Sequence, residues 1–551
     1  MPSKKQTGAD VLVAQLEELG VEVVFGIPGV HNLAIFDALR RTSIRTIVVR
    51  HEQTAGYAAD GYARATGKLG VCVTTTGPGA ANTAAAMGEA RASRSPILHI
   101  STQVDSRILE GKTGHFSLHE SPQQDELMRA VCNWSGRVSR PEAIASMTAK
   151  GALEAFAGRR GPAFLEIPTD FLSATVAKAS RAVPAEMPKP QARAEEIANA
   201  AKALNASKHP VVWAGGGVIS AGASEQLVVA AELLDAPVVT TFAGKGSIPP
   251  DHPLAVSLPP AQPEVTRLIS NADAMLIVGS DLDAMNTQGW RMPFPKPRIV
   301  INIVNEDLRR NYAAQVPIEA DAKDAVEALI PQLKQAKRSG ARRVSQVQNA
   351  ARRALRQSKE FRKPYAFVER LKNAVPDDAM VVADMAIPGY WAAAYFPAAG
   401  PRTFAYPLGW GTLGFALPTA IGTAAAGRKT VVIAGDAGFL FAPGELATAV
   451  QERLPITIVV VNDGGYGMLR FDEVERFKET FAADLATPDF VALARSFGVK
   501  ARKSDPEAID RDLSWALKQK GPALLEVEAT WAPPLTTSPR WPLKGKPEAR
   551  P

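Results

Sequence analysis

One apolar run of this 551-residue chain ends in Gly435-Asp436-Ala437-Gly438, and the next ends in Asn462-Asp463. About one helix of sequence separates them, so a parallel α/β reading sets Asp436 and Asn462 at the carboxyl ends of neighbouring strands, where open sheets bind ligands. A carboxylate and an amide oxygen side by side suit a hard cation such as Mg²⁺, which also takes backbone carbonyls and substrate phosphates. The glycines of the same turns let the main chain approach a pyrophosphate and offer it N–H groups. Asp, Asn and Gly are also ordinary residues of strand-to-helix turns, and either motif alone carries little.

Three further residues stand at comparable turns. Glu52 follows an apolar stretch at 44–49 and opens a helical pattern, where a carboxylate also suits the positive end of the helix dipole with no chemical task. His31 follows Gly26-Ile27-Pro28-Gly29-Val30, and His119 lies in Gly114-His115-Phe116-Ser117-Leu118-His119-Glu120. A histidine at either place can exchange a proton near neutral pH or hold a substrate carboxylate, and either can equally be a loop residue satisfied by backbone. Gly215-Gly216-Gly217 hints at a dinucleotide loop, but Ser220 stands where the last glycine of that fingerprint belongs, so close helix packing is the expected role. Cys72 and Cys132 are the only cysteines and cannot build a thiolate metal site or a disulfide framework.

The elements that position these residues follow from alternating helical periodicity and short apolar strands. From 8 to 171, strands are expected at 21–25, 44–49, 71–76 and 96–100, with helices between them. A second unit has strands at 210–214, 236–240, 274–278 and 298–304, and a third at 380–383, 430–434, 456–461 and 523–527. The expected fold class is α/β, with three doubly wound parallel-sheet domains at 6–175, 194–332 and 360–532 and a basic Pro-rich tail at 533–551. The Pro- and Ala-rich stretch 182–193 reads as a linker, and the basic stretch 337–372 as a solvated linker helix. Gly161-Pro162-Ala163-Phe164-Leu165-Glu166-Ile167 closes the first unit, and Gly521-Pro522-Ala523-Leu524-Leu525-Glu526-Val527 closes the third. The echo suggests two versions of one domain sharing a ligand.

Composition narrows the class. Hydrophobic residues are 46% and charged residues 22% of the chain, which is the balance of a globular protein and not of a disordered one. No uninterrupted apolar run is long enough for a transmembrane helix, and the start Met-Pro-Ser-Lys-Lys has no apolar signal core, so a cytoplasmic protein without a membrane partner is expected. The net charge of +7 is concentrated in the 337–372 segment and the tail rather than along a face, which argues against a nucleic-acid partner. The bland reading of the tail is a loose segment.

Two longer stretches carry a resemblance. Gly409-Trp410-Gly411-Thr412-Leu413-Gly414-Phe415-Ala416-Leu417-Pro418 precedes the first motif, and His51-Glu52-Gln53-Thr54-Ala55-Gly56-Tyr57-Ala58-Ala59-Asp60-Gly61-Tyr62-Ala63-Arg64 lies in the first unit. Together with the turns above, in this order and spacing, they resemble the thiamine diphosphate enzymes of the acetolactate synthase and pyruvate decarboxylase superfamily. The resemblance covers nearly the whole chain as pyrimidine-binding, central and diphosphate-binding domains.

It implies that Asp436, Asn462 and the Gly464 carbonyl hold Mg²⁺, which in turn holds the diphosphate. It implies that Leu413 wedges between the cofactor rings, and that Pro28, Gly411, Gly435, Ala437, Gly438, Tyr466 and Gly467 line the cofactor. Glu52 would meet the pyrimidine ring nitrogen, favour its imino form and let the cofactor act as its own base. His31 and His119 would border the reactive carbon, His119 standing where acetolactate synthases usually have glutamine.

The implied activity is cleavage of a carbon–carbon bond next to a carbonyl, foremost decarboxylation of a 2-oxo acid, with ligation to a second carbonyl as an extension. A 2-hydroxyacyl-coenzyme A or 2-hydroxy ketone lyase is one alternative, and a non-catalytic regulatory paralogue another. Ser257-Leu258-Pro259-Pro260 replaces a glycine-rich segment, and Asn302-Ile303-Val304-Asn305 an acidic strand end, so FAD is not expected. The resemblance implies a homodimer at least, and a homotetramer in full.

Overall fold

The structure is a computed structural model that describes residues 6–114, 117–176 and 189–547. Three parallel sheets organise it. The first comprises β1 (Val23–Gly26), β2 (Arg45–Val48), β3 (Gly70–Thr74), β4 (Ile97–Gln103), β5 (Trp134–Arg137) and β6 (Pro162–Pro168), in the order β2-β1-β3-β4-β6-β5. The central sheet comprises β7 (Pro210–Ala214), β8 (Val238–Thr240), β9 (Ala274–Val278), β10 (Arg298–Asn302) and β11 (Val316–Glu319), in the order β8-β7-β9-β10-β11. The third comprises β12 (Met380–Ala383), β13 (Phe404–Ala405), β14 (Thr430–Gly435), β15 (Ile456–Asn462), β16 (Lys500–Lys503) and β17 (Ala523–Glu528), in the order β13-β12-β14-β15-β17-β16.

The first and third sheets therefore share one strand order. The echoed closing segments are β6 and β17, which occupy the same place in it. β5, β11, β13 and β16 were not among the expected strands. All four are short edge strands whose side chains are mostly only partly buried, so no apolar run announces them.

The apolar runs are strands because both sheet faces are covered: β3, β4, β6, β9 and β14 are buried at every position. Gly215 and Gly217 pack against Gly279, with no space for a Cβ on either, which is the packing role read from the sequence.

Helix α1 (Glu52–Thr66) of the first domain lies against helix α2 (Ala416–Ala425) of the third. Two glycines set this crossing. A Cβ on Gly61 would press into the Thr419 carbonyl, and one on Gly422 into the Ala58 carbonyl. Beside them the largely buried Arg64 guanidinium pairs with Asp60 at 2.8 Å and lies over the Phe415 ring at 5.0 Å.

Two expectations are corrected. The basic stretch forms two helices, Gly340–Gln357 and Arg362–Ala374, whose Val344, Leu355, Phe367 and Leu371 side chains are buried in the core, so it is not merely solvated. The tail is docked through residue 545. Arg540 lies over Phe361 and Phe471 and pairs with Glu360 at 2.7 Å, while Arg291 donates to the Gly545 carbonyl at 2.6 Å. Stacking on two rings holds a guanidinium that composition alone assigns to solvent. Most of the expected linker at 182–193, His115 and the last four residues lie outside the described residues.

Candidate active site

Asp436 and Asn462 end neighbouring parallel strands, as their spacing predicted: Gly435 of β14 is in register with Val461 of β15. Asp436 is buried and starts a short helix, Asp436–Phe439. Its Oδ1 accepts from Ala437 N–H at 2.8 Å and its Oδ2 from Gly465 N–H at 2.8 Å. Asn462 donates from Nδ2 to Glu526 Oε1 at 3.0 Å, which turns its Oδ1 toward the Gly464 N–H at 3.2 Å. The Gly464 carbonyl accepts from Leu485 N–H at 2.9 Å and keeps its second lone pair. Gly464 and Gly465 both have positive φ, 78° and 146°, a path that glycine follows without strain.

This turn concentrates negative charge. Burial raises the Asp436 carboxyl above its ordinary value against the backbone N–H groups that lower it. Asp463 is pushed up to about 6, first by burial and then by the charge of Asp436, although Arg470 pairs with it at 3.0 Å. Two carboxyls crowded in this way favour a cation between them and a ligand.

Asp384, which follows β12, is a residue that sequence reasoning missed. It is fully buried and pushed up to about 6 by that burial, and it accepts from Met385 N–H at 2.8 Å and Ala416 N–H at 3.2 Å. It thereby ties the 411–414 loop, with half-buried Leu413, to the strand end beside Asp436. The only sequence signal was an Asp closing an apolar run.

The first domain presents the matching edge. His31 follows β1, Glu52 follows β2, the 75–77 turn follows β3 and His119 stands beyond β4. His31 and His119 face each other with ring centroids 5.4 Å apart. His31 Nδ1 lies 3.5 Å from Thr75 Oγ1, and Thr76 Oγ1 donates to the His119 carbonyl at 3.3 Å. His119 adopts a positive φ of 62°. Its Nδ1 is buried without a hydrogen-bond partner among the described residues, a state that asks for a ligand or a water.

Behind the turn, Gln124 Oε1 accepts from Gly77 N–H at 2.7 Å while its Nε2 donates to buried Glu166 at 3.0 Å, and Arg137 pairs with that same carboxylate. Glu52 is half-buried, and its Oε2 accepts from Asn82 Nδ2 at 3.0 Å. Pro28 is exposed, and Tyr466 and Gly467 begin the helix Gly467–Phe477.

Within one chain the first and third domains are bonded away from these groups, as by Trp410 N–H to Glu89 at 3.0 Å. Glu52, His31 and His119 have no hydrogen bond or ion pair to Asp436, Asn462 or the 411–414 loop among the described residues. The start of α1 is bound elsewhere: Arg50 and His51 N–H both donate to Glu445.

Two α/β domains of one strand order, one bearing an oxygen-rich turn and the other a carboxylate and paired histidines, have the architecture of an enzyme that holds a ligand between domains. The thiamine pyrophosphate enzyme family models match in order: the N-terminal TPP binding domain at residues 6–127, the central domain at 197–329 and the C-terminal TPP binding domain at 384–527. The chain is 35% identical over 541 residues to a "probable 2-ketoarginine decarboxylase" of Pseudomonas aeruginosa, covering 96% of this chain and 94% of that protein. It is 32% identical over 547 residues to a "probable acetolactate synthase large subunit" of Methanocaldococcus jannaschii, covering 94% and 91%. It is also 32% identical over 537 residues to the acetolactate synthase isozyme 3 large subunit of Escherichia coli, covering 93% and 92%. The chain belongs to the thiamine pyrophosphate enzyme family and is a thiamine diphosphate-dependent enzyme.

Proposed function

We propose that the protein decarboxylates a 2-oxo acid with thiamine diphosphate and Mg²⁺ at a site shared by two chains. The observation that carries this is the Asp436–Asn462 turn pair, oxygen-rich, with Asp436 buried and Asn462 half-buried, and already crowded with negative charge. No cluster of three or more His, Cys, Asp or Glu able to hold a metal occurs among the described residues. A cation here would therefore rest on the Asp436 carboxylate, the Asn462 amide oxygen and the Gly464 carbonyl, completed by the diphosphate. The backbone of Gly435, Ala437 and Gly438 and of Tyr466 and Gly467 would meet the phosphates, with Gly411 and Leu413 against the rings and Pro28 at the rim. When bound, the cofactor supplies an electron sink for the pair left as carbon dioxide departs.

The chain's own residues orient and move protons. Glu52 would hold the proton at the pyrimidine ring nitrogen. His31 and His119 would face the reacting carbon, where one of them returns a proton to C2 of the substrate once its bond to C1 has broken. The products are carbon dioxide and an aldehyde, so the step needs no oxidant.

The rims of both edges support a homodimer. Val30, Leu33 and Leu118 are exposed beside the histidines, and Phe441 and Leu469 close to the 435–438 and 462–467 turns. Large apolar side chains grouped at two complementary edges suit a second copy, with a tetramer as the fuller assembly. FAD is not part of the proposal. The 257–260 segment lines a narrow cleft against Phe396 and Pro397 of the third domain, and Asn302 is committed to the Ser280 carbonyl. Among the described residues no helix is long and apolar enough to cross a membrane. Both cysteines are buried free thiols, which suits a cytoplasmic site of action.

The test is carbon dioxide release from a panel of 2-oxo acids, with and without thiamine diphosphate and Mg²⁺. Release that requires both supports the reading. A panel without turnover, alongside saturable cofactor binding, would overturn it.

A further inference from the structure

Asp472 lies five residues into the helix Gly467–Phe477, which springs directly from the metal turn. It is half-buried, and its Oδ1 is fully buried without a hydrogen-bond partner among the described residues. The cation that faces it, Arg476 on the same helix, reaches only Oδ2 at 3.8 Å, beyond hydrogen-bond range. The other arginine of that helix, Arg470, is committed to Asp463 and Asp484.

The helix that carries Asp472 begins three residues after Gly464, so the carboxylate stands on the element that leaves the candidate site. Burial first, then the charges of Asp384 and Asp472, push the Tyr390 hydroxyl up to about 12, so both carboxyls act on that one side chain. From Asp384 the path continues to the cofactor loop: Tyr406 Oη meets Met385 Sδ at 3.3 Å, and Met385 Cε lies 3.3 Å from where a Cβ on Gly411 would stand. A buried carboxylate oxygen with no donor is costly, and such a group in a native fold calls for a partner. Beside a site that takes a small molecule, the partner that offsets this cost best is a cationic group on that molecule.

We propose that the 2-oxo acid substrate carries a terminal cation, a guanidinium or ammonium at the end of an aliphatic chain, and that Asp472 receives it. This rests on the decarboxylase reading above and names its substrate class. The similarity to a protein named as a 2-ketoarginine decarboxylase agrees with it without supplying the residue.

The experiment compares kcat/KM for carbon dioxide release from 2-oxo-5-guanidinopentanoate and from the uncharged 2-oxohexanoate, in wild type, Asp472→Asn and Asp472→Glu. Wild type should prefer the guanidino acid. Asp472→Asn should lower the ratio of the two by about 10–100-fold, the range for a hydrogen bond to a charged group, and Asp472→Glu should restore part of it. Calorimetry of 5-guanidinopentanoate against hexanoate gives a readout independent of turnover, with the preference again lost in Asp472→Asn.

A ratio that is unchanged in Asp472→Asn overturns the proposal. So does a variant whose dimer dissociates more readily while its ratio stays that of wild type, because Asp472 then serves the partner chain. If neither acid releases carbon dioxide, the decarboxylase reading falls, and the calorimetric preference alone decides the role of Asp472.

Discussion

His31 and His119 come from different strand ends of the first domain, yet their rings stand 5.4 Å apart across the turn that follows β3. The proximity has an electrostatic consequence. The His31 pKa lies below its ordinary value, first through burial and then through the charge of His119. In His119→Gln the second cause disappears and the first remains. NMR titration should therefore show His31 titrating higher than in wild type but still below the ordinary value of 6.5. The same substitution should reduce turnover by about 10²–10⁴ if His119 moves the proton. Unchanged titration of His31 would mean that the two rings are not neighbours in solution.

Asp436→Ala should lose thiamine diphosphate and Mg²⁺ together, since each screens the other's charge against the protein. Calorimetry should show weaker cofactor binding, and the rise in melting temperature that the wild type gains from cofactor plus Mg²⁺ should vanish, as it should in wild type treated with a chelator. Retained cofactor affinity in the variant would remove Asp436 from the metal site.

The crossing of α1 and α2 leaves no space for a side chain at its two contact glycines. Gly61→Ala and Gly422→Ala should each destabilise the fold by about 1–3 kcal/mol or more through overpacking. Urea unfolding checks this, and losses under about 0.5 kcal/mol for both, the range of a surface substitution, would show that the helices sit farther apart.

His99 is fully buried between Thr74 and Thr83, whose hydroxyls lie 2.9 Å and 3.3 Å from its ring nitrogens, and burial pushes its pKa down to about 3. Its folded value is depressed below the unfolded 6.5, so its contribution is fully present above pH 6.5. It is lost as pH falls toward 3, with a slope of at most about 1.4 kcal/mol per pH unit. Wild type minus His99→Gln stability, from urea melts at pH 4.5 to 7.5, should shrink as pH falls. A difference independent of pH would contradict the burial.

Much of this was legible because the signals were local. Asp436 and Asn462 sit at strand ends, and strand ends follow from apolar runs. The echoed closing segments pointed to a duplicated domain, and β6 and β17 stand at one place in one strand order. Asp384, by contrast, acts by capping a loop some thirty residues away, a relation that no spacing rule encodes. The docking of Arg540 on Phe361 and Phe471 joins residues far apart in sequence, so composition assigned it to a loose tail. The resemblance set His31 and His119 at one reactive carbon, but their ring-to-ring pairing was not legible, since only the sheet brings the segments after β1 and β4 to one side of the turn after β3.

The central claim is that Glu52 of one chain and Asp436 of another complete each site, and it is tested by mixing two inactive variants. Glu52→Ala and Asp436→Ala should each release almost no carbon dioxide from the preferred 2-oxo acid. After the two are unfolded and refolded together, half of the dimers are mixed and each mixed dimer has one intact site, so activity should return to about a quarter of the wild-type level. A mixture that stays as inactive as its components would contradict the account, because it would place both residues in a site built within a single chain.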